Sequence, residues 1–230
     1  MARQLDLNIA GADLTNVMIP VSIGRRVSGP VTVDGEKPLP DNVFVILDPV
    51  NGERDNQLSS PTLANGTFTI AGVPAGKYLV RTAVPPNQKY YTKSVMHRHS
   101  ELARDLITVE EDQDLTNFVI VISFDVALVS GRALAADGKR ALGGVGVLFV
   151  SADSVEKKII TRRIYGFTNA GGEFSVSGAP GDYLALVMRP GEGYNQLGGG
   201  ELISRAAKAQ RITLRPGENK SIDLLLPSER

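Results

Sequence analysis

The chain has 230 residues, room for one large domain or two ordinary ones, and 42% of them are hydrophobic, enough for a real core. Its 25 basic and 25 acidic residues cancel, so no basic excess is present to neutralise phosphates. That argues against nucleic acid and against an anionic membrane surface as partners. The absence of cysteine excludes disulfides, thiolate metal sites and cysteine nucleophiles.

The first residues, Met1-Ala2-Arg3-Gln4-Leu5-Asp6, hold no apolar segment of a signal peptide, so if the protein is exported its signal is expected outside this sequence. No run reaches the ~18–20 apolar residues of a membrane span, and no membrane insertion is expected. Residues 1–24 carry two apolar runs, at 5–9 and 17–23. These match runs at 106–109 and 118–123 and are expected to be the last two strands of a preceding repeat. A two-stranded hairpin alone is marginal in water. The segment is therefore expected to pack on the next domain or to pair with a neighbouring molecule, giving a dimer through residues 1–24.

From residue 25 onward the pattern is of short strands. Those predicted at 31–33, 43–47, 68–70, 78–84, 106–109 and 118–123 are rich in β-branched and aromatic residues, and several alternate with period two. Turn dipeptides punctuate them, among them Asp34-Gly35, Asn65-Gly66 and, further on, Asp137-Gly138 and Pro190-Gly191. Helix formers at 100–104 and 201–209 predict one short helix or helical turn in each half.

The second half repeats the first. Val27-Ser28-Gly29 recurs about a hundred residues later as Val129-Ser130-Gly131. Gly66-Thr67-Phe68 and Gly76-Lys77-Tyr78 recur as Gly172-Glu173-Phe174 and Gly181-Asp182-Tyr183. Asp13-Leu14-Thr15-Asn16 recurs unchanged at 114–117. These echoes predict an all-β chain of two tandem seven-stranded-type β-sandwich domains, at 25–125 and 126–230, joined without a flexible linker. Phe68, Tyr78, Phe174 and Tyr183 are expected in the two cores at equivalent positions.

The order of these motifs resembles the carboxypeptidase regulatory-like domain, a prealbumin-like sandwich found in tandem in bacterial surface and envelope proteins. The strongest stretch is Val129-Ser130-Gly131, Asp137-Gly138, Gly143-Gly144-Val145, Asn169 to Phe174 and Gly178-Ala179-Pro180-Gly181-Asp182-Tyr183. The resemblance implies a non-catalytic structural or interaction module of a larger protein, in an extracellular, periplasmic or envelope setting. Its partners would be other domains of that protein and a glycan or protein ligand. No cofactor is implied.

Two candidate sites remain. His97 and His99 are the only histidines. On a strand, positions i and i+2 share a face, so the pair could converge on a metal. Intradiol dioxygenases, on a similar sandwich, hold iron through a His-x-His pair and two tyrosines. Here Tyr78 is the first tyrosine, no further ligand set is apparent, and the second half has no histidine. The pair is therefore expected to be two metal-free surface residues ahead of a helical turn. The other candidate is sugar binding, which needs exposed aromatic rings. With no tryptophan, the candidates are Tyr90, Tyr91, Tyr165 and Tyr194. Gly198-Gly199-Gly200 is expected to be a loop, because its spacing matches no phosphate-binding motif. The first strands of the two halves, at 27–33 and 129–136, carry no lysine, so a lysine–asparagine isopeptide of the pilin type is not expected.

Overall fold

The structure is a computed structural model that describes residues 23–50, 57–84, 88–102, 105–158, 160–193 and 197–227. The expectation for residues 1–24 falls outside the described residues apart from Ile23 and Gly24, which precede the first strand. The chain is all-β and divides into two compact units. The first holds the described residues up to 84 together with Ser94–Val121. The second gathers those of Asn87–Lys93 and Ile122–Arg230.

The first unit is built from β1 (Arg25–Val33), β2 (Phe44–Pro49), β3 (Leu58–Pro61), β4 (Thr67–Val73) and β5 (Gly76–Ala83). There follow β6 (Tyr91–His97), which enters this unit at Ser94, β7 (Ser100–Glu101), β8 (Leu106–Val109) and β9 (Phe118–Ser123), which leaves it after Val121. One sheet has the order β3-β2-β5-β8 and the other β4-β1-β9-β6-β7. Side chains alternate across each strand because successive Cβ atoms point to opposite faces. In β5, Tyr78, Val80 and Thr82 are buried while Lys77 and Arg81 are exposed. Arg81 pairs with Asp48 of β2 on the outer face.

The second unit holds β10 (Ala127–Leu134), β11 (Gly146–Ser151), α1 (Ala152–Glu156), β12 (Arg163–Phe167), β13 (Glu173–Gly178) and β14 (Gly181–Val187). After these come α2 (Gly199–Ala206), β15 (Gln210–Leu214), β16 (Asn219–Ser221) and β17 (Leu224–Leu225). Its sheets run β12-β11-β14-β15 and β13-β10-β16, with β17 also paired to β10. β16 and β17 run parallel to β10, so the first and last strands lie side by side in the same direction. Val129, Phe149, Phe174, Tyr183, Ile212 and Leu224 meet between the sheets in one core.

The motif residues occupy matching positions in the two units. Gly29 pairs with Phe68 across β1 and β4, and Gly131 pairs with Phe174 across β10 and β13. All four residues Phe68, Tyr78, Phe174 and Tyr183 are buried. The Tyr78 hydroxyl donates to the Pro74 carbonyl at 2.9 Å, and the Tyr183 hydroxyl donates to the Ala179 carbonyl at 2.9 Å. Each ring fills the core while its one polar atom is satisfied four residues upstream. The glycines have a steric reason as well. A Cβ on Gly29 would lie 1.8 Å from the Phe118 carbonyl oxygen, and one on Gly131 would lie 1.8 Å from that of Ile222. The last strand passes too close for any side chain.

The units differ in the connection before the sixth sandwich strand. In the first, that connection is the hairpin β6–β7, which extends the sheet beyond β9. Its turn is Arg98-His99, with φ of 51° and 68°. The helical turn predicted at 100–104 is therefore corrected at its start, since Ser100 and Glu101 pair with His97 and Met96. Residues 103 and 104 lie outside the described set. In the second unit, the connection carries α2, which lies on the outer face of the four-stranded sheet. Leu202 and Ala206 pack there on Leu148, Val150, Leu184, Leu186 and Met188. β11 and β14 are thus buried on both faces, which explains their near-continuous apolar runs.

Candidate functional site

His97 and His99 are not two residues of one strand face. β6 ends at His97, and His99 is the second residue of the turn, exposed and at positive φ. His97 is half-buried and stacks on Phe118, with ring centroids 4.6 Å apart and planes 17° from parallel. Burial first, then the neighbouring Arg98 charge, holds the His97 imidazole below its ordinary value, against a hydrogen bond with the Thr116 backbone. The reading of both histidines as surface residues is therefore corrected for His97, whose ring packs. Among the described residues, no group of three or more His, Cys, Asp or Glu side chains is arranged to hold a metal ion.

The tyrosines fare unevenly as stacking platforms. Tyr194 lies outside the described residues. Tyr90 and Tyr91 are half-buried. Tyr165 is half-buried and packs beside the α2 layer. The ring it supports is the exposed one: Phe167, two residues on, is 63% exposed and meets Tyr165 edge-on at 5.0 Å between centroids. The sequence reasoning considered only tyrosines outside the core and so passed over Phe167. The available signal was its place between Gly166 and Thr168 at a strand end, directly before the Asn169 turn.

Phe167 lines a shallow depression of about 670 Å³ on the outside of the β13-β10-β16 sheet. Its polar walls come from outward-facing positions of three strands and the Asn169 turn. Asn169 Oδ1 accepts from the backbone amides of Gly171 at 3.0 Å and Glu173 at 2.9 Å, the local bonding that suits Asn to turns. Asn169 Nδ2 donates to Glu173 Oε2 at 3.0 Å, and Glu173 Oε1 faces Arg132 at 3.6 Å. Asp223 Oδ1 accepts from the Arg132 backbone amide at 3.0 Å.

The glycine run at 198–200 does not stay a loop. Gly198 is the N-cap of α2, and Gly199 and Gly200 form its first turn. Near its other end, Arg205 makes two hydrogen bonds of 2.8 Å to the carboxylate of Glu192 and one of 2.9 Å to Glu201. The Arg205 hydrogen bonds hold the Glu192 carboxyl below its usual range. This clasp fixes α2 against the preceding loop. Neither β1 nor β10 contains lysine.

No known protein family matches the chain, and no curated protein matches it. Solved structures do. A minor pilin of Streptococcus agalactiae, GBS52, is 12% identical with a TM-score of 0.35, covering 90% of this chain and 98% of that one. The shaft pilin SpaA of Lactobacillus rhamnosus GG is 15% identical with a TM-score of 0.29, covering 90% and 98%. The TIE protein of Bacillus anthracis is 12% identical with a TM-score of 0.30. It covers 89% of this chain, and the chain spans only 33% of that protein's length. TM-scores of this size do not decide the architecture, which rests on the strand pairings described above.

Proposed function

We propose that the chain is a pair of copies of one carboxypeptidase regulatory-like module, serving as a non-catalytic structural part of a larger surface, envelope or secreted protein. The observation that supports this reading is the use made of the shared motif residues. In both units the glycine admits the last strand, the phenylalanine fills the core opposite it, and the tyrosine ties its hydroxyl to its own corner. Each residue of the motif serves the fold, as expected of a module selected for its shape. Under this reading its partners are neighbouring domains of the parent protein. In the source organism, an antibody to the chain labels intact cells or finds the protein in the medium. Exchange of both units for two unrelated sandwich units of equal length leaves the parent's activity in place. Loss of that activity on exchange would overturn the structural reading and favour a binding one.

A second reading, carbohydrate binding, has a specific observation behind it: the exposed ring of Phe167 beside a row of hydrogen-bonding side chains.

A further inference from the structure

We infer that the outer face of the three-stranded sheet in the second unit is a binding site for a neutral oligosaccharide, with Phe167 as its stacking platform. The inference rests on the carbohydrate-binding reading and gives it a location and a ligand charge.

Phe167 is 63% exposed, and Tyr165 braces it edge-on at 5.0 Å. A braced ring loses little freedom when a ligand settles on it, which lowers the cost of binding. Its open surface is apolar and suits the C–H face of a pyranose.

Arg132, Asn169, Glu173, Ser175 and Asp223 line the same depression and together offer donors and acceptors. Hydrogen bonds already hold Asn169 on Glu173 at 3.0 Å and Asp223 on the Arg132 amide at 3.0 Å, and Glu173 faces Arg132 in an exposed ion pair at 3.6 Å. Alternating donors and acceptors at fixed positions match a ligand whose neighbouring hydroxyls both give and accept hydrogen bonds.

Charge selects among ligands. Two carboxylates and one guanidinium line the depression. A phosphate, a nucleic acid or a uronic acid polymer would meet net repulsion there. An apolar helix would find one ring and would have to desolvate charged groups around it. A neutral glycan avoids both penalties.

The test is a titration of the isotopically labelled chain, followed by its amide resonances, with cellohexaose, xylohexaose, laminarihexaose and chitohexaose in turn, each to millimolar concentration. The expected result is that at least one of them shifts the amides of Arg132, Phe167, Asn169 and Glu173. Phe167→Ala then weakens that binding by roughly tenfold, the size of one aromatic contact. Ser175→Glu, which narrows the depression from the other side, weakens it too while leaving the ring in place. Both positions are exposed, and an otherwise unchanged spectrum shows that each variant folds. Binding that persists in Phe167→Ala, with shifts confined to other residues, overturns this site and leaves the carbohydrate-binding reading standing. No shift with any of the four overturns both.

Discussion

Gly131 and Ile222 approach so closely that a Cβ on the glycine would sit 1.8 Å from the Ile222 carbonyl oxygen. No rotamer relieves this, because the obstacle is backbone. Gly131→Ala must push the last strand away from β10 and weaken its parallel hydrogen bonds. We expect a loss of about 2–3 kcal/mol, read as a lower urea midpoint by circular dichroism. Gly29→Ala, against Phe118, is expected to do the same in the first unit. A neutral outcome at either position would show that the strand can yield.

Tyr183 supplies a pH-dependent test. Burial pushes its hydroxyl up to about 12, from an ordinary 10.0. The folded state therefore keeps its proton over a range in which the unfolded chain gives it up. The corresponding stability is intact below pH 10 and is lost as the pH rises towards 12. Tyr183→Phe removes both the hydrogen bond to Ala179 and this titration. It is expected to lose about 1 kcal/mol at neutral pH and to show a flatter decline in alkali, measured by thermal unfolding across that range.

The Glu192–Arg205 clasp behaves in the opposite sense. Hydrogen bonds from Arg205 lower the Glu192 carboxyl, so its contribution is present above the usual 4.5 and disappears as the pH falls through the lowered value. The pair is partly exposed, and its worth is discounted accordingly to about 1 kcal/mol. Glu192→Gln is expected to speed amide exchange along α2 and to leave the sandwich core protected. Equal loss of protection in β11 and β14 would mean that the helix and the sheet unfold together.

The two histidines are expected to separate. His99→Ala is neutral, because the ring is exposed in a turn. His97→Ala loses its stack on Phe118, a loss of about 1 kcal/mol. Burial and the Arg98 charge lower the His97 pKa, so the stability linked to its neutral form is present above pH 6.5 and is lost as the pH falls through the lowered value. Calorimetric titration with zinc or iron is expected to give no stoichiometric binding. A one-to-one metal complex lost in either variant would reverse this.

The frame of the fold was legible because it is written in residues with few alternatives. A glycine under a crossing strand and a tyrosine behind a Pro-Gly or Ala-Gly corner leave the same local spacings in both halves of the sequence. The β6–β7 hairpin was not legible. Its turn places Arg98 and His99 at positive φ, where glycine or asparagine is the usual signal. The Glu, Leu, Ala and Arg that follow suggest helix by propensity alone. The short helix α1 was missed for another reason. Ser151 caps it and Ser154 hydrogen-bonds within it, so its five residues depend on local hydroxyl chemistry and not on an apolar stripe. Phe167 is legible only in part: its place at a strand end before the Asn169 turn hints at exposure, while the degree of exposure depends on which elements cover the end of β12.

The parallel alignment of β10 with β16 and β17 has a mechanical consequence. Leu128 faces Asn219 at one end of the pair, and Leu134 faces Leu225 at the other. Tension applied at the two ends of this unit therefore acts along the strands, in opposite directions on neighbours. The hydrogen bonds from Ile222 to Ser130 and from Leu226 to Leu134 share that load in shear and do not open one after another like a zip. Forced extension is governed by the barrier to unfolding, and here the barrier includes breaking these bonds together. The glycine that admits the last strand to this position thereby also sets how hard the unit can be pulled before it gives way.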